Sequence, residues 1–199
     1  MDTAPLRDIY RYWFGELSGP EHLPQEKFDL WFNRSDETDT FIRETWLGYL
    51  RRAGEAAWDL DRLGREEQVA LVVLFDQFPR NIFRVFGEAF AYDGKARAIA
   101  NELIAGGIDR FYLVERVSLV LPLEHSEDIA DQDRCVLLFA NAAVNGPAAW
   151  LNYNRNQLDY GTRHRDLIRR FGRFPHRNEL LGRTSTAEEI EFLKGGRGY

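Results

Sequence analysis

The sequence predicts an all-α protein of about eight helices packed as antiparallel pairs, and three observations carry that expectation. Apolar residues recur with a period near 3.6 in every patterned segment. The apolar run Val69 to Phe75, the one stretch that could be read as a strand, has no alternating neighbour to pair with. Helix start and stop signals also punctuate the whole chain. A chain of 199 residues fits one domain, 1–199, which buries about 70% of the surface of its unfolded form.

From Pro5, the positions Leu6, Ile9, Tyr10, Trp13 and Leu17 share one helical face, with proline in the first turn and Ser18-Gly19-Pro20 as the stop. A short segment from Pro24 to Phe32 follows. Ser35 then caps a helix carrying Phe41, Ile42, Trp46, Tyr49 and Leu50 that ends near Gly54, and Asp61 to Gly64 is the next break. Glu66, Glu67 and Gln68 favour helix through Val69 to Phe75, and a helix apolar all round belongs at the centre of a core. Asp93 caps a helix through Ala96, Ile99, Ala100 and Leu103 that stops at Gly106-Gly107, and another runs from about Tyr112 to Leu121. Ser126 opens a helix through Ile129, Val136, Phe139 and Ala143, ended by Asn145-Gly146-Pro147, and a long helix then reaches Phe171. Thr186 with Glu189 makes a capping box for the last helix.

The formal charge of −6 disfavours nonspecific attraction to nucleic acid or to an anionic membrane, so neither is expected as a partner. The charge is uneven. Between Arg155 and Arg183 eight Arg face only Asp159, Asp166 and Glu179, which reads either as a solvated helix face or as a site for an anion. Cys135 is the single cysteine and lies in the apolar run Val136-Leu137-Leu138-Phe139, as a buried structural thiol does. The N-terminal Met1-Asp2-Thr3-Ala4-Pro5 lacks a signal-peptide pattern, and a cytoplasmic location is expected.

Three apolar helices are expected to run into proline, at Phe78-Pro79, Leu121-Pro122 and Phe174-Pro175. Proline disfavours helical geometry in the residue before it, so each reads as a helix exit that releases a polar loop. Those loops are Arg80-Asn81, Glu124-His125-Ser126-Glu127-Asp128 and His176-Arg177-Asn178. Asp76 falls in the last turn of its helix, where the dipole is negative, so the carboxylate needs a compensating cation. Arg80 supplies one, either as a staple of the turn or as part of a functional site. Glu127 and Asp128 read as first-turn acids behind a Ser126 cap, which leaves Glu124 and His125 as the better site candidates.

His164 shares a stripe with Tyr160, Leu167, Ile168 and Phe171 and reads as a packed core histidine, whereas His176 sits in a loop and is more available. No HExxH or paired-Cys spacing, no phosphate-cradling glycine loop and no nucleophile elbow is present, so no metal or cofactor is expected.

The segments Leu74 to Arg84, Leu121 to Asp128, Asp131-Gln132 and Arg170 to Asn178, with Leu181-Gly182-Arg183 and Ser185-Thr186, together resemble an uncharacterised bacterial family, the domain of unknown function numbered 924. The resemblance covers nearly the whole chain, and four such motifs in order make it specific. The resemblance implies an all-α fold similar to tetratricopeptide-repeat proteins, although the 34-residue signature of that repeat is missing here. It departs at Val85-Phe86, where the family places a glycine and a small residue.

Three functions fit these residues. In the first, Gln77, Arg80, Asn81, Arg84, Arg173, His176, Arg177 and Asn178 converge on a cleft that binds a small carboxylate or phosphate, oriented by Asp76 and Glu124. In the second, a hydrolase-type enzyme uses His125 or Glu124 as general base, with Asp76 in the same catalytic set. In the third, a helical scaffold meets a protein partner, and the motifs are internal ion-pair staples.

Overall fold

The computed structural model describes residues 1–196, which form ten α-helices linked by short 3-10 turns, with no strand among the described residues. They are α1 (Ala4–Phe14), α2 (Phe28–Phe32), α3 (Asp36–Glu55), α4 (Arg65–Asp76), α5 (Phe78–Ile82), α6 (Asp93–Ala105), α7 (Leu113–Glu124), α8 (Ile129–Asn145), α9 (Leu151–Phe171) and α10 (Ala187–Lys194). The chain is therefore all-α, as its 3.6-residue periodicity requires. No helix among the described residues is long and apolar enough to cross a membrane. Two compact units emerge from the packing, one of Met1–Arg84 and Glu88–Pro122, the other of Val85–Gly87 and the described chain from Leu123 onward.

In the first unit α4 packs against α1, α3, α5 and α6, and every one of its residues from Glu67 to Asp76 is buried. That central place is what a helix without a polar face demands. Helix α1 contributes Leu6, Ile9, Tyr10, Trp13 and Phe14 to the core. It stops at Phe14 instead of reaching Leu17, because Gly15 turns into the left-handed region at φ 70°. Ser35 caps α3 as expected, its hydroxyl accepting from the Thr38 amide at 3.2 Å. Asp93, by contrast, begins α6 without capping it; its carboxylate is drawn to Arg80.

The three proline exits resolve differently from one another. Helix α4 does end before Pro79, at Asp76, but Phe78-Pro79 immediately opens α5, where proline in the first turn loses no bond. Pro122 lies inside α7, which continues to Glu124, so the expected exit at Leu121 is wrong. The surrounding Ser118, Leu119, Val120 and Leu123 are all buried, and that packing outweighs the one hydrogen bond that proline removes. The third helix, α9, stops at Phe171 through a left-handed Gly172, and Phe174-Pro175 starts a 3-10 turn over Pro175–Arg177.

The second unit is built on the α8–α9 hairpin. Asn154 donates to the Ala142 carbonyl, Gly161 faces Cys135 and Phe139, and Arg169 pairs with Asp133, an order that makes the two helices antiparallel. A side chain at Gly161 would put a Cβ 3.1 Å from the Phe139 ring and 3.4 Å from Cys135 Sγ, so a larger residue would oblige the Phe139 ring to give way. Leu167, Ile168 and Phe174 form a core on which Phe171 and Phe192 pack. Thr186 and Glu189 make the expected capping box on α10. Helix α8, however, is capped by Asp128 and not by Ser126. The Ser126 hydroxyl sits two residues before the cap, accepting from the Asp128 amide and donating to Asp131.

Candidate functional site

The candidate residues divide between the units. Asp76, Gln77, Arg80, Asn81 and Arg84 belong to the first; Glu124, His125, Arg173, His176, Arg177 and Asn178 belong to the second.

In the first unit the charged groups are matched to one another. Asp76 is buried, with Oδ1 3.6 Å from Arg80 Nη1, and Gln77 donates to its other oxygen. Arg80 also donates to the Asp76 carbonyl and grips Asp93 with two bonds of 2.9 and 3.1 Å. Arg84 and Asn81 share a carboxylate that the sequence did not single out. Asp39 accepts from Arg84 Nε and Nη2 at 2.5 and 2.7 Å and from Asn81 at 2.8 Å. Burial works to raise the Asp39 carboxyl, but the bonds from Arg84 and Asn81 prevail and hold it below the usual range. Asp39 is one of three acids in the first turn of α3, with Asp36 and Glu37, and nothing local in the sequence distinguishes it.

The second unit gathers three of the chain's four histidines. Gln132, fully buried, donates its side-chain amide to the carbonyls of Leu123, Glu124 and Ser126, which closes the C-terminal end of α7 and fixes the path of Glu124-His125-Ser126. Glu124, itself buried, places Oε1 3.3 Å from Nδ1 of His164 on α9. His164 Nδ1 is also 2.9 Å from the Tyr160 carbonyl, one turn earlier.

Phe174 is the hub of the cluster. The His164 ring stands edge-on to it at 5.4 Å, the His176 ring lies at 5.6 Å, and the Arg177 guanidinium covers it with Cζ 4.4 Å from the ring centre. Its backbone is held as well: the amide donates to Glu127 at 2.8 Å and the carbonyl accepts from Arg183 at 3.1 Å. Glu127 and Arg183 complete the frame with bonds of 2.7 and 3.0 Å. Glu127 therefore does not serve α8 as a first-turn acid; it anchors the Phe174 loop.

Arg173 turns away to α10, where it holds the buried Glu189 with two bonds of 2.7 and 2.8 Å and reaches the Thr184 carbonyl. Those bonds bring the Glu189 carboxyl down to about 2. Asn178 is buried and donates to Ser185, while its Oδ1 has no hydrogen-bond partner. His176 Nδ1 is likewise buried without a partner, although the ring as a whole is partly exposed, as is His125.

Both flanking imidazoles are held neutral at pH 7. Burial lowers His164 to about 4, with His125, Arg177 and His176 adding to the effect. Burial and the Arg177 charge lower His176 to about 4, with Arg183 and His125 acting in the same direction and Glu127 against it. Cys135 is fully buried and its thiol is pushed up by burial and by the Glu124 charge, the reverse of an activated nucleophile. Among the described residues no group of three or more His, Cys, Asp or Glu has the arrangement to hold a metal ion. The cluster can present a cation, neutral imidazoles and an oriented carboxylate to a small polar molecule.

Residues 9–197 match the family described as bacterial protein of unknown function, DUF924. The chain is also similar to a solved structure of a protein of unknown function from Agrobacterium tumefaciens. The two are 35% identical, with 98% of this chain and 99% of that one covered and a TM-score of 0.75. Comparison with curated proteins brings no match.

Proposed function

The chain belongs to the DUF924 family of bacterial proteins of unknown function, and from the geometry of its second unit we propose that it binds a small anion, a carboxylate or a phosphate, at the cluster of His125, His176, Arg177 and Asn178. The observation that carries this reading is His176 Nδ1, a buried polar atom with no partner, on the residue next to the buried Arg177. Buried polar atoms in folded proteins are almost always bonded, so an exception beside a guanidinium marks the place of a missing partner, which is an acceptor when Nδ1 carries a hydrogen. Glu124 faces His164, which packs edge-on against the Phe174 ring that His176 and Arg177 share. In this proposal Asp76, Gln77, Arg80, Asn81 and Arg84 hold the first unit together through Asp39 and Asp93, and Arg173 serves the fold through Glu189.

Titration of acetate and of inorganic phosphate against the protein tests the reading. Saturable binding that is lost in Arg177→Gln and in His176→Gln, yet kept in Arg173→Ala, supports it. Absence of saturable binding by either anion, or binding unchanged in both cluster variants, defeats it.

A second reading has one observation in its favour. The Glu124 carboxylate facing His164 Nδ1 is the arrangement that orients an imidazole as a general base through its other nitrogen, as a hydrolase-type enzyme requires. Hydrolysis of nitrophenyl esters or phosphates by the purified protein, abolished in His164→Gln, is the result this reading expects; a rate no faster than buffer removes it for those substrates.

A further inference from the structure

We propose that anion binding at this cluster is coupled to the uptake of one proton by His176, so that the site tightens as the solution becomes more acidic. This deepens the anion-site reading and depends on it.

Arg177 and Arg183 approach His176 as cations, the His125 imidazole is within electrostatic range, and Glu127 is the carboxylate on that side. Glu127 is already committed, taking two bonds from Arg183 and one from the Phe174 amide. From α9, His164 stands across the Phe174 ring. On α10, which packs on the same 3-10 turn, Glu189 is held by Arg173. Glu127 and Glu189 are therefore already engaged by arginines and Glu124 faces His164, so a proton on His176 has no acceptor at Nδ1 and meets the opposing charges of Arg177 and Arg183.

An oxyanion beside Arg177 reverses both conditions. It adds negative charge at the place where cations dominate, and it offers an acceptor to the partnerless Nδ1. The balanced step is simple: protein, anion and one solvent proton give a complex in which His176 carries that proton as an imidazolium. No other bond forms or breaks. Because ligand and proton favour the same state, each strengthens binding of the other by the same factor.

Sulfate is the suitable probe, since it does not titrate in the relevant range. Calorimetric titration near about pH 7.5 and about pH 5.5, in buffers of different ionisation enthalpy, should show affinity about tenfold higher at the lower pH, with proton uptake toward one per sulfate. His176→Gln should bind with the same affinity at both values. If that variant does not fold, the His176 ring resonances of the intact protein serve instead, and their titration midpoint should move upward from about 4 when sulfate is added. Sulfate affinity that does not change with pH, or pH dependence that persists in His176→Gln, overturns the proton coupling and leaves the anion site standing. Absence of saturable sulfate binding at both pH values overturns the anion site and the coupling together.

Discussion

Glu124 Oε1 lies 3.3 Å from His164 Nδ1, and the same nitrogen is 2.9 Å from the Tyr160 carbonyl oxygen. Both neighbours are acceptors, so Nδ1 carries the hydrogen and the lone pair of the neutral ring is on Nε2. Nitrogen-15 NMR should find His164 as the Nδ1-H tautomer at neutral pH, with a titration midpoint near about 4. A midpoint in the ordinary histidine range, or the opposite tautomer, would contradict the assigned geometry.

The same depressed imidazole makes stability depend on pH in a defined direction. Unfolded His164 takes up a proton near 6.5, whereas in the folded chain it does so only near 4. The unfolded state therefore binds more protons between those values, and stability falls as pH drops through that window. The loss from His164 is about 3 kcal/mol between neutrality and pH 4. His176 acts in the same direction over the same window. The Glu189 carboxyl, held down by Arg173, adds a separate loss as pH falls from its ordinary value toward about 2. Denaturant unfolding at a series of pH values should show the first decline beginning below about 6.5, and His164→Gln should reduce it by about half, leaving the part due to His176. A curve flat down to pH 4 would mean that the cluster is already protonated or open to water.

In the first unit the test falls on Asp39, the carboxylate that ties Asn81 and Arg84 to α3. Asp39→Asn keeps the shape but takes the charge from a guanidinium that is one third exposed, so the cost should be about 2–3 kcal/mol, below the figure for a fully buried pair. Asp76→Asn should cost less, because Arg80 keeps its two bonds to Asp93. Urea midpoints decide the order, and a larger loss at Asp76 than at Asp39 would mean that Asp93 does not sustain Arg80 alone.

The sequence was most legible where local chemistry decides the outcome. The periodicity of α1, the serine cap of α3, the capping box of α10 and the all-round apolar character of α4 each act within a turn or two. It was least legible where packing overrules a local preference. Pro122 inside α7 is the clearest case, since burial of its neighbours, which no local rule contains, keeps the helix running to Glu124. Residues of the second-unit cluster were visible as types but not as partners. His164 read as a core histidine, and it is packed and hydrogen-bonded; that it also faces Glu124 depends on α9 folding back over α8. Glu127, Arg183 and Phe174 had no local mark of their role, because the bonds joining them span up to 56 positions.

Gln132 joins the fold to the cluster most directly. Its side-chain amide shares two hydrogens among three carbonyls, at 3.2 Å from Leu123, 2.6 Å from Glu124 and 2.7 Å from Ser126. Those carbonyls lie at and just beyond the end of α7, where carbonyls lack the usual helical donors; the Ser126 amide also reaches the Leu123 carbonyl at 3.2 Å, so Glu124 and Ser126 rely on the side chain most. Gln132→Leu fills a similar volume but takes the amide donor from the Glu124 and Ser126 carbonyls, at a cost of about 2–4 kcal/mol. The loss should also reach the site, since Glu124 and His125 lie on the segment that the amide pins. Hydrogen exchange should quicken from Leu123 to Asp128 in the variant, and saturable anion binding should weaken although His176 and Arg177 are untouched. Gln132→Glu, which restores shape and polarity but offers acceptors where donors are needed, should do no better than leucine. If Gln132→Leu is as stable as the parent, the amide is not what holds the end of α7; if it is destabilised while anion affinity is unchanged, the Glu124-His125 segment plays no part in presenting the site.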